Sequence, residues 1–347
     1  MNIIRRAVAY TAMPVLLMIG TIPAHAADAI ADFYRGKTVQ VLVGFGPGGG
    51  YDLYARTLAR YMGRHIPGNP TLVPQNMPGA GGVKAMNYLY NVARKDGTVI
   101  GTFARGLAIE PLLGHAQGIQ FDATKFGWVG SVSNEVSICA FWNTSGIKNW
   151  KDMQTKPSTI GASAAGADSE IFPVVLKNLF HLPTKVVTGF SNGGADINLG
   201  MERGEVGGRC GWSWSSLLSQ SKSLLDNKKI NIVIQLALQK HEDLPDVPSV
   251  MDLPTTPQNK AALKLIVSRQ SIARPFAAPP GLPPARLQAL RAAFDATMKD
   301  PQFLAEAKRL ELEVRPVPGA DVEKLIKEIY ATPPDVVKLA AQAEKSS

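Results

Sequence analysis

Residues 39–52 read VQVLVGFGPGGGYD, and this stretch decides the fold. A β-branched apolar run stops at a glycine-rich corner. A helical pattern follows, with Leu53, Tyr54, Leu58, Tyr61, Met62 and Ile66 recurring at three-to-four spacing. Strand, glycine loop and helix start together make an anion site. The first helical N–H groups have no partner inside the helix, and the helix dipole adds partial positive charge there. Gly48, Gly49 and Gly50 carry no Cβ, so a ligand can approach their backbone closely.

Working outward, the same alternation repeats. Strands are expected at 38–45, 71–75, 98–103, 159–164, 185–189, 206–210 and 230–236, with a long extended run inside 128–142. Helices are expected at 52–65, 81–92, 168–180 and 195–203, and four more after the proline-rich Pro275–Pro284. Such alternation argues for an α/β protein of mainly parallel sheets flanked by helices.

The N-terminus carries a basic start at Arg5 and Arg6, an apolar stretch through Ile19 and the small-x-small triplet Ala24-His25-Ala26. That is the pattern of a cleaved signal peptide over residues 1–26. The apolar core is short for a membrane span of about 20 residues. The expected mature chain is an exported, periplasmic protein. The formal charge of +9 falls to +7 with Arg5 and Arg6, since residues 1–26 contain no acid. Positive charge favours anionic partners, but no dense Lys/Arg block speaks for nucleic acid. Cys139 and Cys210 are the only cysteines. They fit either a disulfide or two buried thiols, and no Cys/His spacing suits a metal.

Other motifs are weaker. Gly44–Gly49 matches G-x-G-x-x-G, but residues 62–73 hold no acid for a ribose hydroxyl. Ser219–Lys222 matches S-x-x-K without the triplets that accompany it in penicillin-binding enzymes. No nucleophile–base pair is visible, so no enzymatic activity and no cofactor are expected. Instead, small polar loops follow successive strands at 46–51, 104–106, 163–169, 190–194 and 208–214. Ligands of open parallel sheets sit at such strand ends.

Phe45–Asp52 (FGPGGGYD), Gln75–Gly82 (QNMPGAGG) and Lys95–Ile100 (KDGTVI) occur in that order. They resemble the F-x-P-G-G-x-x-D, E-N-x-P-G-A-G-G and P-D-G-Y-T-L blocks of the tripartite tricarboxylate transporter receptors, the Bug or TctC family of periplasmic solute-binding proteins. Leu244–Val250 (LPDVPSV) and Phe276–Leu282 (FAAPPGL) extend the resemblance over the mature chain. It implies a two-lobed type II periplasmic binding-protein fold that closes on a small organic carboxylate. Lobe 1 would be 27–130 plus 268–347, and lobe 2 would be 131–267. The chain would act as a monomer and deliver its ligand to large and small integral-membrane permease subunits. A ligand-sensing subunit for a signalling partner, or an exported carboxylate-processing enzyme, are the alternatives.

Carried onto matching positions, the resemblance implies ligand contacts at Gly46, Pro47, Gly48, Gly49, Gly50 and Tyr51, then at Ala104, Arg105 and Gly106. The other lobe would supply Ser163, Gly166, Ala167, Asp168, Phe190 and Asn192. Departures from the family stand at Glu170, where a His is usual, and at Gly207, where an Asp is usual. The following Gly208–Trp214 is also unlike the common pattern. Arg209 is expected to pair with a ligand carboxylate and Trp212 to pack its apolar body. The alternative is a structural salt bridge at Arg209 and a core-filling Trp212. For Arg105 the alternative to ligand contact is surface solvation. The fold implied by the resemblance also makes neighbours of the strands carrying Cys139 and Cys210.

Overall fold

The computed structural model describes residues 24–114, 118–163, 167–190 and 194–345. The expected leader up to residue 23, together with Gly166 and Asn192, lies outside the described residues. No helix among the described residues is long and apolar enough to cross a membrane.

Among the described residues, eleven strands form two sheets. They are β1 (Thr38–Val43), β2 (Thr71–Asn76), β3 (Val99–Thr102), β4 (Gly127–Ser131), β5 (Ser137–Trp142), β6 (Ser158–Gly161), β7 (Thr184–Val187), β8 (Gly208–Ser213), β9 (Ile230–Leu236), β10 (Pro275–Ala278) and β11 (Val317–Pro318). The first sheet runs β11-β4-β10-β3-β1-β2 and the second β7-β6-β8-β5-β9. Each holds one strand that the chain delivers from the other sheet. β5 lies antiparallel between β8 and β9, and β10 antiparallel between β3 and β4. The run 128–142 that reads as one extended stretch is therefore two strands in different sheets. Residues 132–136 carry the chain from the first sheet to the second, and residues 268–274 bring it back. The two crossings are hydrogen-bonded to each other. Val132 N–H donates to Arg274 O (3.1 Å), Glu135 N–H to Gln270 O (2.9 Å) and Ala273 N–H to Ser133 O (3.1 Å).

Apolar residues face both sides of each sheet, as expected where helices cover both faces. In β1, Val39, Val41 and Val43 join Leu58, Phe294 and Phe303 on the outer face. Leu42 joins the cluster that runs on through Phe103 and Trp128 to the second sheet. In β5, Ile138 and Ala140 face one way with Trp212, while Cys139 and Phe141 face the other. The tail ties the halves together. Helix Pro334–Ala343 packs on helix Pro257–Val267, and Asn178 donates to the Ala343 carbonyl (2.9 Å).

Sequence reading missed the helices Trp214–Asp226 and Pro257–Val267 and the strand β10, whose Pro275 start reads as a linker. Pro275 is tolerated because it opens its strand.

Cys139 and Cys210 are disulfide-bonded across β5 and β8, with Cα atoms 3.9 Å apart. The ladder slips here: Ile138 pairs Trp212, but Ala140 pairs Arg209. Cys210 and Gly211 thus oppose Cys139 alone, which is a β-bulge. Gly211 has φ +63°, and a Cβ there would lie 2.3 Å from the Asp168 carbonyl oxygen. Only glycine fits, and the bulge seats β8 against the start of helix Asp168–Phe180. The bond closes a loop of sequence separation 71. We expect the C139S/C210S double variant to lose about 2–4 kcal/mol of stability, measured by urea unfolding without reductant. An unchanged midpoint would show that the bond contributes nothing.

Candidate functional site

The glycine corner after β1 is exposed from Gly46 to Gly49. It is fastened from beneath by Asp52, which is 3% exposed. Its carboxylate accepts from Gly48 N–H (2.8 Å), Arg56 Nε (2.9 Å) and Asn76 Nδ2 (2.8 Å), and Asn76 also donates to Phe45 O (2.9 Å). Burial works against the Asp52 anion, but these donors outweigh it and hold the carboxyl below its ordinary range. Gly48 has φ +85°, which glycine alone adopts cheaply. Helix Gly50–Met62 starts here with Gly49 at its cap and no side chain capping it. A Cβ at Gly46, Gly48 or Gly49 would meet nothing within 4 Å, so the corner's backbone is approachable. Phe45 and Tyr51 stack beside it, with ring centroids 4.6 Å apart.

Behind the corner lies a buried charge cluster. Glu135, on the first crossing, accepts from Arg105 (2.6 Å), Arg274 (2.9 Å), Ser213 (2.5 Å) and Ser215 (2.8 Å). Arg274, on the second crossing, lies over the rings of Tyr51 (4.7 Å) and Tyr54 (5.0 Å). Arg105 follows β3. Its backbone N–H donates to the Tyr51 hydroxyl (3.0 Å), and its guanidinium also grips Asp168, with Nε at 2.8 Å. Asp168 opens the helix after β6, so this ion pair joins loops of different sheets. The other Asp168 oxygen is 3.9 Å from Arg269, whose guanidinium binds Glu344.

Arg105 was expected at the ligand or in solvent. It is in fact 6% exposed and bonded on both edges of its guanidinium, because two acids converge on it. Gly106 supports this arrangement, with Arg269 packed against its open side. Ala104 precedes the turn and Ala167 caps the helix of Asp168. Ser163 meets the Ser169 hydroxyl through its N–H (3.1 Å) and its own hydroxyl (2.9 Å). Pro47 and Gly50 lie in the corner itself, and Phe190 packs among the apolar residues around Ile197 and Trp212.

Arg209 differs from the other cations. Nη1 donates to Gly194 O (3.3 Å) and Asn198 Oδ1 (3.1 Å), and the guanidinium stacks on Trp212 at 4.4 Å. No carboxylate among the described residues pairs with it, and its buried Nε makes no hydrogen bond. Burial pulls its pKa down to about 9. The alternative of a structural salt bridge therefore finds no partner among the described residues. Trp212, only 1% exposed, is a core residue that meets Arg209 by its face.

Sequence reasoning did not find Glu135, Arg269 or Arg274. Glu135 had a signal: it is the single charged residue of 128–142. Among the described residues no group of three or more His, Cys, Asp and Glu is placed to hold a metal. A cavity of about 550 Å³ lies away from the corner, lined by Trp214, Leu218, His241, Leu304 and Val314. Lys222, Lys308 and Arg315 there face Asp243, Glu311 and Glu313, so its charge is balanced. The corner has its Gly48 amide committed to Asp52, but its exposed backbone at the uncapped helix start still has the stronger claim on an anion.

Solved structures share this architecture. The periplasmic binding protein BugD aligns with TM-score 0.66 and 20% identity over 90% of this chain and 100% of its own. The TctC solute-binding protein from Polaromonas aligns with TM-score 0.65 and 15% identity, over 88% and 99%. MatC from Rhodopseudomonas palustris, with bound malate, gives 0.63 and 18% over 87% and 99%. The fold is that of the TctC and Bug-type periplasmic binding proteins. No protein-family model matches the sequence, and no curated protein matches it. In this fold both sheets follow one order, each with an antiparallel strand inserted beside its centre.

Burial raises the Glu135 carboxyl, but Arg274, Arg105 and the two serine hydroxyls outweigh it and hold it at about 2. The unfolded carboxyl titrates near its ordinary 4.5. Its contribution is therefore present above pH 4.5 and lost as pH falls toward 2. Glu135→Gln leaves two buried guanidiniums short of an acid, which costs about 3–5 kcal/mol. We expect its unfolding free energy at pH 7 to drop by that amount and its acid dependence between pH 4.5 and 2 to flatten. Equal acid profiles for both proteins would remove Glu135 from this role.

Proposed function

We propose that the chain is a periplasmic receptor that captures a small organic carboxylate and delivers it to a tripartite tricarboxylate-type permease. The observation that carries this reading is the exposed, uncapped glycine corner Gly46–Tyr51 at the end of β1. Backbone N–H groups at a helix start bind an anion without a counter-cation. The malate bound to MatC, a protein of the same fold, is such an anion.

Lobe 1 is taken as 27–130 plus 268–347 and lobe 2 as 131–267. The paired crossings at 132–136 and 268–274 form the hinge. The corner holds one carboxylate, while the second sheet closes over the remainder of the ligand. The Arg105–Asp168 pair forms as the loops meet. Catalysis is not required: the acids at the junction are committed to arginines, and the serine hydroxyls that meet Glu135 face a carboxylate held at about 2, too weak a base to activate them. Signal-peptide cleavage, export and action as a monomer belong to the same reading.

The test uses the mature chain, stripped of ligand by unfolding and refolding. A carboxylate at 100 times its dissociation constant should add about 2.7 kcal/mol of stability. Gly49→Val keeps an ordinary backbone, with φ −80° and ψ 169°, and its new Cβ meets nothing within 4 Å. We expect that variant to melt with the wild type and to lose the ligand-induced shift. Full binding by G49V would move the carboxylate elsewhere.

A further inference from the structure

We propose that Arg209 holds a second anionic group, so that the ligand is a dianion with one end on the glycine corner and the other on the second sheet. This rests on the receptor reading above and narrows its ligand class.

Both hydrogen bonds of the guanidinium leave from Nη1. The Nε–Nη2 edge makes none with the described residues, and Nε is out of solvent. That edge is the side-on fork that receives a carboxylate through two parallel bonds. Its setting is unfavourable for a cation alone. The guanidinium lies at the N-terminal, positive end of helix Gly194–Glu202, since a Cβ on Gly194 would be 2.1 Å from Nη2. Buried charges are usually paired or hydrogen-bonded throughout, and Arg105, Arg269 and Arg274 all have acids. An anion at Arg209 gains the fork and the helix end together, while Trp212 and Asn198 keep the fork oriented. Arg209, in β8, lies beside the end of β6, where it pairs with Gly161.

The experiment titrates refolded, ligand-free protein calorimetrically with succinate, malate and adipate. Each is compared with its one-carboxylate counterpart: butyrate, 2-hydroxybutyrate and hexanoate. Wild type should prefer at least one dicarboxylate roughly ten- to a hundredfold, the range for hydrogen bonds between charged groups. Arg209→Met should bring that dicarboxylate down to its counterpart's affinity and leave the counterpart unchanged. It should melt within about 2 °C of wild type or above it, because an apolar replacement removes an uncompensated buried charge. A preference that survives in R209M overturns the proposal. So does equal wild-type binding of both members of every pair, and so does early melting of R209M, which would make Arg209 a structural residue. Failure of wild type to bind any carboxylate overturns the receptor reading itself, a result that R209M does not enter.

Discussion

The structure depends on one buried carboxylate. Glu135 sits where the chain first passes between sheets and is gripped by Arg274 from the return passage and Arg105 from the end of β3. Ser213 and Ser215, from the end of β8 and the helix after it, complete its shell. A fully buried carboxylate is costly to desolvate, and its attraction to arginines need not exceed that cost. What it gives is position. The groups that bind Glu135 come from three separate segments, so those segments are tied together at the junction of the two sheets.

Two consequences reach the glycine corner. Arg274 lies over Tyr51 and Tyr54, so the helix that begins at the corner is fixed by the same node. Arg105 gives its backbone N–H to the Tyr51 hydroxyl, which joins the β3 loop to the β1 loop. The corner can therefore stay exposed and unencumbered while its neighbours are rigid. A binding loop of this composition would be floppy alone, because glycine loses most conformational freedom on ordering. Asp52 answers that from below through Gly48 and Asn76.

Much of this was legible in the sequence, and the limits are physical. The strand–glycine–helix reading at 39–62 needed only periodicity and the absence of Cβ atoms. Helix Asp168–Phe180 and strand Ile230–Leu236 were read with the bounds they have, because their apolar spacing is unbroken. The burial and pairing of Arg105 escaped the sequence for a different reason. A basic residue in a polar loop reads as solvated or ligand-facing unless its partners are known. Those partners, Glu135 and Asp168, stand 30 and 63 residues away. Ion pairs of such separation leave no local pattern. No strand was read in the proline-rich 275–278 for a similar reason: β10 exists because β3 and β4 flank it, not because its own four residues favour a strand.

Arg209 gains its meaning from the same comparison of charges. Of the arginines around the junction, those at 105, 269 and 274 are neutralised by acids from distant segments, so they fix geometry and add little net field. Arg209 has no acid among the described residues, and the disulfide and bulge beside it hold its strand in a register that puts the guanidinium at a helix start. The positive charge available near the strand ends is therefore concentrated in two places of different kinds. One is a set of backbone amides on the first sheet, open to a small anion. The other is a directional fork on the second sheet, suited to a group at one distance. On the proposed reading the receptor separates capture from selection: the amides would supply affinity for a carboxylate as such, and the distance to the fork would decide which carbon skeleton lets the loops of the two sheets meet.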